Sequence, residues 1–375
     1  MNKTTMNGTH DSRFQNVKRA FASCFDDGLE HGAAVALVLD GKLVVDLWGG
    51  YANKAKTREW TRDTVANVWS CTKGVVATAV AMAVEQGKLD YEKPIADTWP
   101  EFAEGGKEQI SLNQVMSHTS GLNGLNVSIT DIDLYAWSPY VNALAAMKPN
   151  WEPGKDCAYH ALSYGHLASE PVCRATGKTI GQFITESIAK PLGIDFFIGV
   201  PESEDHRAAE MIEGAGASDW VQQVLNSPYP QSCMNPTPVA TAPNTRQWRA
   251  AEIPGGNGHC DARALATIYG DIASRNSKLI NSQTRAEAVR PRFRGLDTSF
   301  NLPTAFGAGF RIEDEMYGKR ASNQSFGHSG WGGSTAFGDP EAGIGFAFVT
   351  CNMLGFAEGD PRRRRLIDAV YDALV

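Results

Sequence analysis

The run TKGVVATAVAMAVEQ, residues 72–86, is apolar on almost every side of a helical wheel and carries one cation, Lys73, in its first turn. A helix of that kind cannot lie on a surface and has to be surrounded. The chain is large enough to surround it: 375 residues, 42% hydrophobic and 21% charged, suit one large domain or two interlocked ones of ordinary globular composition. Gly87 follows the run as a C-terminal cap would. Ser70 stands at its entrance, where unpaired backbone N–H groups and the positive end of the helix dipole gather.

Patterning elsewhere places strands at both ends and helices between them. Phe14, Val17, Phe21, Cys24 and Phe25 recur at helical spacing, which predicts an amphipathic helix over residues 13–29 ending near Gly28. AAVALVL (33–39) and LVVDLWG (43–49), joined by a DGK turn, predict a hairpin of buried strands. Between residues 90 and 245 the helical stretches 112–118, 161–177 and 180–189 are broken by Pro/Gly loops, with little strand signal. A helix over 261–273, strands over 305–312 and 344–351 flanking a Gly-rich segment, and a helix over 361–374 close the chain. One sheet assembled from both termini, with a mostly helical insertion, follows.

Charge and composition exclude several classes of function. A net charge of −7 disfavours nucleic acid and anionic membranes, since phosphate rewards a basic field. The basic run Arg362 to Arg365 reads as a solvated helix face, with an anion contact as the lesser reading. No stretch approaches the ~20 apolar residues of a membrane span. The start MNKTTMNGTHDSRF has no apolar core of a secretory leader. Seven scattered cysteines without a C-x-x-C pair imply neither a disulfide framework nor a zinc site, and a reducing cytoplasm is the expected location. No HExxH, P-loop or dinucleotide-binding glycine pattern occurs, so no metal and no cofactor is expected. GHSGW (327–331) misses the G-x-S-x-G elbow because Trp331 replaces the closing glycine. His118, His166 and His259 read as loop or core histidines.

Two S-x-x-K matches occur, SCTK (70–73) and SIAK (187–190), so the pattern alone decides nothing. SIAK lies late in an amphipathic helix running into Pro191, where two polar surface positions are the ordinary reading. SCTK lies where a polar segment enters the apolar helix, and its spacing stacks Lys73 over Ser70. A serine hydroxyl is a poor nucleophile until a neighbour takes its proton. A lysine sunk among apolar groups loses charge solvation, and its neutral amine can serve as that base. The competing reading makes Ser70 a helix cap and Lys73 a snorkelling surface residue.

Three further segments bear on the choice: QVMSHTSGL (114–122), WEPGKDCAYHALSYGHLA (151–168) and FGHSGWGGSTAFGDPEAGIGFAFVTCN (326–352). In that order, with SCTK, they resemble the family of class C β-lactamases, DD-peptidases and β-lactamase-like (family VIII) carboxylesterases. The resemblance implies an α/β (α+β) fold with an antiparallel central sheet flanked by helices. Residues 1–88 with 246–375 would form the sheet domain and 89–245 a mostly helical one, with the active site in the cleft between. It makes Ser70 the acyl-forming nucleophile, with Lys73 and Tyr159 sharing the proton transfers; Tyr164, five residues on, rivals Tyr159. His328, Ser329 and Gly330 stand where β-lactamases carry Lys-Thr-Gly. In that register the N–H groups of Ser70 and Trp331 form the oxyanion hole, each donor worth about 3 kcal/mol.

Departures from the family pattern direct the expected substrate. The Tyr-x-Asn of class C β-lactamases is Tyr159-His160-Ala161, and the lysine of Lys-Thr-Gly is His328, neutral near pH 7. Both changes turn the site from penicillins toward neutral esters. A serine carboxylesterase acting on a small-molecule ester, monomeric or homodimeric, is the expectation. An amide hydrolase on the same residues (β-lactamase, DD-peptidase or oligo-amide hydrolase) is the alternative, and a non-catalytic binding module the lesser one. Tyr135, Trp137 and Tyr140, with Trp331, are the candidate pocket aromatics, set against core packing. Asn257 and His259 are placed near the cleft without a role.

Overall fold

The computed structural model describes residues 5–355 and 359–375; the first four residues of the polar start lie outside it. Nine strands make one sheet: β1 (Met6–His10), β2 (Gly32–Leu39), β3 (Lys42–Gly50), β4 (Phe293–Asp297), β5 (Leu302–Phe306), β6 (Arg311–Ile312), β7 (Phe326–Ser329), β8 (Thr335–Asp339) and β9 (Ile344–Thr350). Their order across the sheet is β1-β3-β2-β9-β8-β7-β6-β5-β4. Every neighbouring pair is antiparallel. The N-terminal hairpin and the C-terminal meander meet where β2 pairs with β9, Val35 opposite Phe348. The sheet is thus built from both ends of the chain, as the patterning predicts.

Alternation along the strands explains the layers. Val35 and Leu37 of β2, with Phe346 and Phe348 of β9, face a cluster containing Phe21 of helix α1 (Gln15–Asp26) and Leu366 and Val370 of the C-terminal helix (Pro361–Leu374). The intervening Ala34, Ala36, Ala347 and Val349 face the larger core, which holds helix α2 (Cys71–Glu85), helix α3 (Ser163–Thr176) and helix α4 (Ala262–Ala273). Helices therefore cover both faces of the sheet. Residues 71–83 of α2 are all buried, as a helix apolar all round requires. Two-residue strands at Ala66–Asn67, Phe196–Phe197 and His259–Cys260 form a small second sheet, knitting the middle of the chain to the segments on either side.

One sequence reading is corrected here. Arg362 belongs to no solvated face: its side chain is 0% exposed and is paired with Glu30 and Asp360. The helix begins at Pro361, and its first turn points Arg362 into the protein, whereas Arg365 pairs with Asp27 at the surface.

Candidate active site

Ser70 caps the N-terminus of α2 without using its side chain as a cap, so the hydroxyl is left for other partners. Trp69, the residue before it, has φ +45°, a left-handed conformation costly for a bulky side chain. Its ring is held between Trp248, with centroids 5.3 Å apart, and Trp331, 4.6 Å apart. The contacts on either side of Trp69 hold the strained entrance to the helix.

Lys73 lies 2.9 Å from Ser70, Nζ to Oγ. The same Nζ donates to the carbonyls of Ala161 at 2.7 Å and Gly255 at 2.6 Å. Both carbonyls only accept, so two N–H bonds are committed and the remaining tetrahedral position faces Ser70 Oγ. In the neutral amine that position is a lone pair. Lys73 is fully buried, and burial pushes its pKa well below the ordinary lysine value. The second match behaves differently: Ser187 is half-buried and Lys190 exposed.

Tyr159 is buried and its hydroxyl is hydrogen-bonded to Ser70; burial pushes the phenol pKa up despite that bond. Lys73 Nζ stands 4.9 Å from its ring centroid. Tyr164 is separated from Ser70 by its own bond: its hydroxyl donates to Met116 Sδ at 3.8 Å in the core. His160, between Tyr159 and the Ala161 that replaces the asparagine, turns away: its Nδ1–H donates to Ala158 O at 2.7 Å and its Nε2 meets Ser120 Oγ at 2.8 Å.

His118, read from sequence as a loop or core residue, clamps this segment. Its carbonyl accepts from Ala158 N at 3.3 Å and its Nδ1 from His160 N at 3.1 Å. The ring between those bonds lies 4.9 Å from that of Tyr159. Burial holds His118 well below the ordinary histidine pKa, so it is a neutral acceptor.

Strand β7 brings the third segment against the start of α2. Cys71 Sγ donates to His328 O at 3.4 Å. Gly330 lies so close that a Cβ there would meet Val68 O at 2.2 Å. The N–H groups of Ser70 and Trp331 take no part in the turn bonds that engage their neighbours Cys71, Thr72, Gly330 and Gly333. His328 is buried, its Nδ1–H donates to Ser329 O at 2.8 Å, and burial keeps it neutral.

A cavity of about 410 Å³ opens beside Ser70, lined by Tyr159, His328, Ser329, Gly330 and Trp331 and walled by Trp220 and Phe300. Trp220 meets Trp331 edge to face at 5.2 Å, and Trp331 Nε1–H donates to Ala217 O at 2.5 Å. Three candidate pocket aromatics do not line it. Tyr140 and Trp137 pack on His166 with centroids 4.6 and 4.7 Å away, and Trp137 Nε1–H donates to Glu170. Tyr135 lies edge-on to Trp248. Their segment packs on α3, so core packing accounts for Trp137 and Tyr140. Trp220, Phe300 and Arg311, which do line the cavity, carry no motif by which the sequence singles them out. Arg311 stays charged: burial works against its charge, but Asp314 at 2.6 Å together with Tyr317, Tyr159 and Asp297 more than offsets it. Asn257 is a loop staple: its amide donates to Trp248 O and Ala251 O and its carbonyl accepts from Ile253 N, framing the Gly255 carbonyl that holds Lys73. His259 lies in the small sheet, opposite Asn67 and Phe197.

Known proteins match the chain over most of its length. The family model described as Beta-lactamase matches residues 21–371. The chain is 35% identical to "Esterase/beta-lactamase LipL" of Mycobacterium tuberculosis (strain ATCC 25618 / H37Rv), over 92% of this chain and 83% of that protein. A crystal structure of a family VIII carboxylesterase superposes with a TM-score of 0.91 at 38% identity, over 98% of this chain and all of that one. A penicillin-binding protein homologue from Caulobacter crescentus gives 0.89 at 35% identity, over 99% and 100%. The chain, with a buried lysine behind a helix-capping serine at the mouth of an aromatic-walled cavity, belongs to the β-lactamase family.

Proposed function

We propose that the protein is a serine carboxylesterase that works through an acyl-enzyme on Ser70. The observation that carries this reading is the environment of Lys73 Nζ: fully buried, held by two carbonyls and 2.9 Å from Ser70 Oγ. The neutral amine takes the Ser70 proton as Oγ attacks the ester carbonyl carbon. The oxyanion is held by the N–H groups of Ser70 and Trp331. As the C–O bond breaks, the proton passes from Lys73 through the Tyr159 hydroxyl to the leaving alkoxide. Water then enters by the reverse path: its proton passes through Tyr159 to Lys73 as it attacks the acyl carbon, and as the acyl C–Oγ bond breaks Lys73 returns that proton to Ser70 Oγ, releasing the acid. The raised pKa of Tyr159 supports Lys73 as the base and Tyr159 as a neutral relay.

Neutral His328, and Arg311 compensated by Asp314, support neutral esters over substrates with a carboxylate to be gripped. The family VIII carboxylesterase and the LipL relative support the same class. The helical stretch 89–245 supplies Tyr159 and Trp220, and the flanking stretches supply Ser70 and Trp331, which supports a site in the cleft between two units. Seven unpaired cysteines support a reducing compartment. No helix among the described residues is long and apolar enough to cross a membrane.

The test is a side-by-side rate comparison of short- and long-chain p-nitrophenyl esters, a chromogenic cephalosporin and a linear amide, with Ser70→Ala as blank. Esters are expected to turn over fastest, and Ser70→Ala to be silent on all four. A cephalosporin hydrolysed far faster than every ester contradicts the esterase reading.

A further inference from the structure

The turn that follows β7, Trp331-Gly332-Gly333, rests on a buried guanidinium. Arg362 Nη2 donates to Gly332 O at 2.7 Å, and Leu354 N donates to the same carbonyl at 3.2 Å. Gly332 and Gly333 have φ +89° and +126°, conformations open to glycine. A Cβ on Gly333 would lie 2.3 Å from Arg362 Nη2, so the turn is seated directly on the charged group.

The guanidinium is itself oriented from several directions. Nη1 donates to Glu30 Oε2 at 3.0 Å and to Asn352 O at 2.7 Å; Nη2 also donates to Asp360 Oδ2 at 2.7 Å, and Nε to Asp360 Oδ1 at 3.1 Å. Asp360 caps the C-terminal helix through its bond from Arg362 N at 2.9 Å. Glu30 is held by Thr350 Oγ1 at 2.7 Å and His31 N at 3.0 Å. Side-chain exposures are 0% for Arg362 and Glu30 and 6% for Asp360.

Such a triad is a poor way to gain stability, because taking three charges out of water offsets most of their attraction. A planar fork with fixed donors is a good way to set backbone atoms. Its ends here join the loop before β2, the end of β9 and the last helix to the carbonyl next to Trp331.

We propose that Arg362, oriented by Glu30 and Asp360, is a positioning residue that fixes the Gly332-Gly333 peptide and, through the turn it anchors, aims the Trp331 N–H at the oxyanion. The inference rests on the reading of Trp331 as an oxyanion donor. It makes Arg362 matter to the transition state and not to the resting substrate.

The test uses Arg362→Lys in the full chain, with Arg365→Lys on the same helix as control and Ser70→Ala as blank. Activity on a p-nitrophenyl ester and inhibition by phenylboronic acid, which forms a tetrahedral adduct with an active serine, are measured together. In Arg362→Lys kcat is expected to fall about 30-fold, with KM within about three-fold of the parent. The boronate inhibition constant is expected to rise by a similar factor, and Arg365→Lys to match the parent. A folded Arg362→Lys protein with parental kcat and boronate affinity overturns the proposal, as does a loss confined to KM. If Arg362→Lys does not fold, Asp360→Asn carries the test with an expected fall in kcat of about five-fold, and parental kcat in folded Asp360→Asn overturns it. An active Ser70→Ala protein would instead overturn the reading of the site itself.

Discussion

A lysine that serves as a base at neutral pH must be kept from holding its proton, and in Lys73 burial does this without a carboxylate partner. The sign follows: the charged form is disfavoured, so deprotonation comes well below the ordinary lysine value, and activity falls as acid restores the proton. A profile of kcat/KM against pH is expected to show an acidic limb from this group. Lys73→Arg, which stays charged, is expected to lose about 10³-fold in kcat/KM at every pH. An unchanged profile in Lys73→Arg contradicts the assignment. Spacing within the sequence indicates that Lys73 reaches Ser70. It does not indicate what holds the amine in place: those partners are backbone carbonyls 88 and 182 residues away, and backbone atoms leave no mark in residue identity. His118 is equally silent, since its part comes from a ring and a carbonyl gripping the chain around Tyr159.

At the level of elements, the decisive contact is between the end of β7 and the start of α2. Gly330→Ala places a Cβ against Val68 O, which must push the two apart. Loss of one oxyanion donor is worth about 10²-fold in kcat. That loss is the expected result for Gly330→Ala, read from initial rates alongside a thermal unfolding curve; a folded variant with parental kcat contradicts the close-packing argument. Buried elements are legible because their residues carry the period of their environment. The apolar α2 is one case, and the Asp-Gly hairpin another, with Asp40 at φ +48° and Gly41 at φ +77° as its turn requires. Edge strands are not legible. β1 reads MNGTH and β4 reads FRGLD, mostly exposed and without alternation, because each has one neighbour and little core to face.

Across the whole molecule, helices packed on both faces hold a sheet that neither end of the chain could complete alone. The two-terminus sheet is legible from where the strand patterns fall, and the proposed nucleophile, base, tyrosine and third segment come from motifs in order. What required the fold was every contact between distant segments. Arg362 looked like part of a basic surface because three arginines follow it, yet Glu30, more than 300 residues earlier, is its buried partner. Tyr135, Trp137 and Tyr140, within six residues of one another, read as pocket candidates set against core packing, while the cavity takes Trp220, Phe300 and Trp331 from three separate segments.

The central claim, that this architecture exists to make Ser70 a nucleophile, is tested most directly by trapping it. The parent protein is incubated with a fluorophosphonate probe, digested and examined by mass spectrometry, with folded Ser70→Ala and Ser187→Ala in parallel. The expected result is one phosphonyl adduct on the peptide carrying Ser70, absent in Ser70→Ala and unchanged in Ser187→Ala. An adduct that survives Ser70→Ala, or none on the folded parent, contradicts the claim.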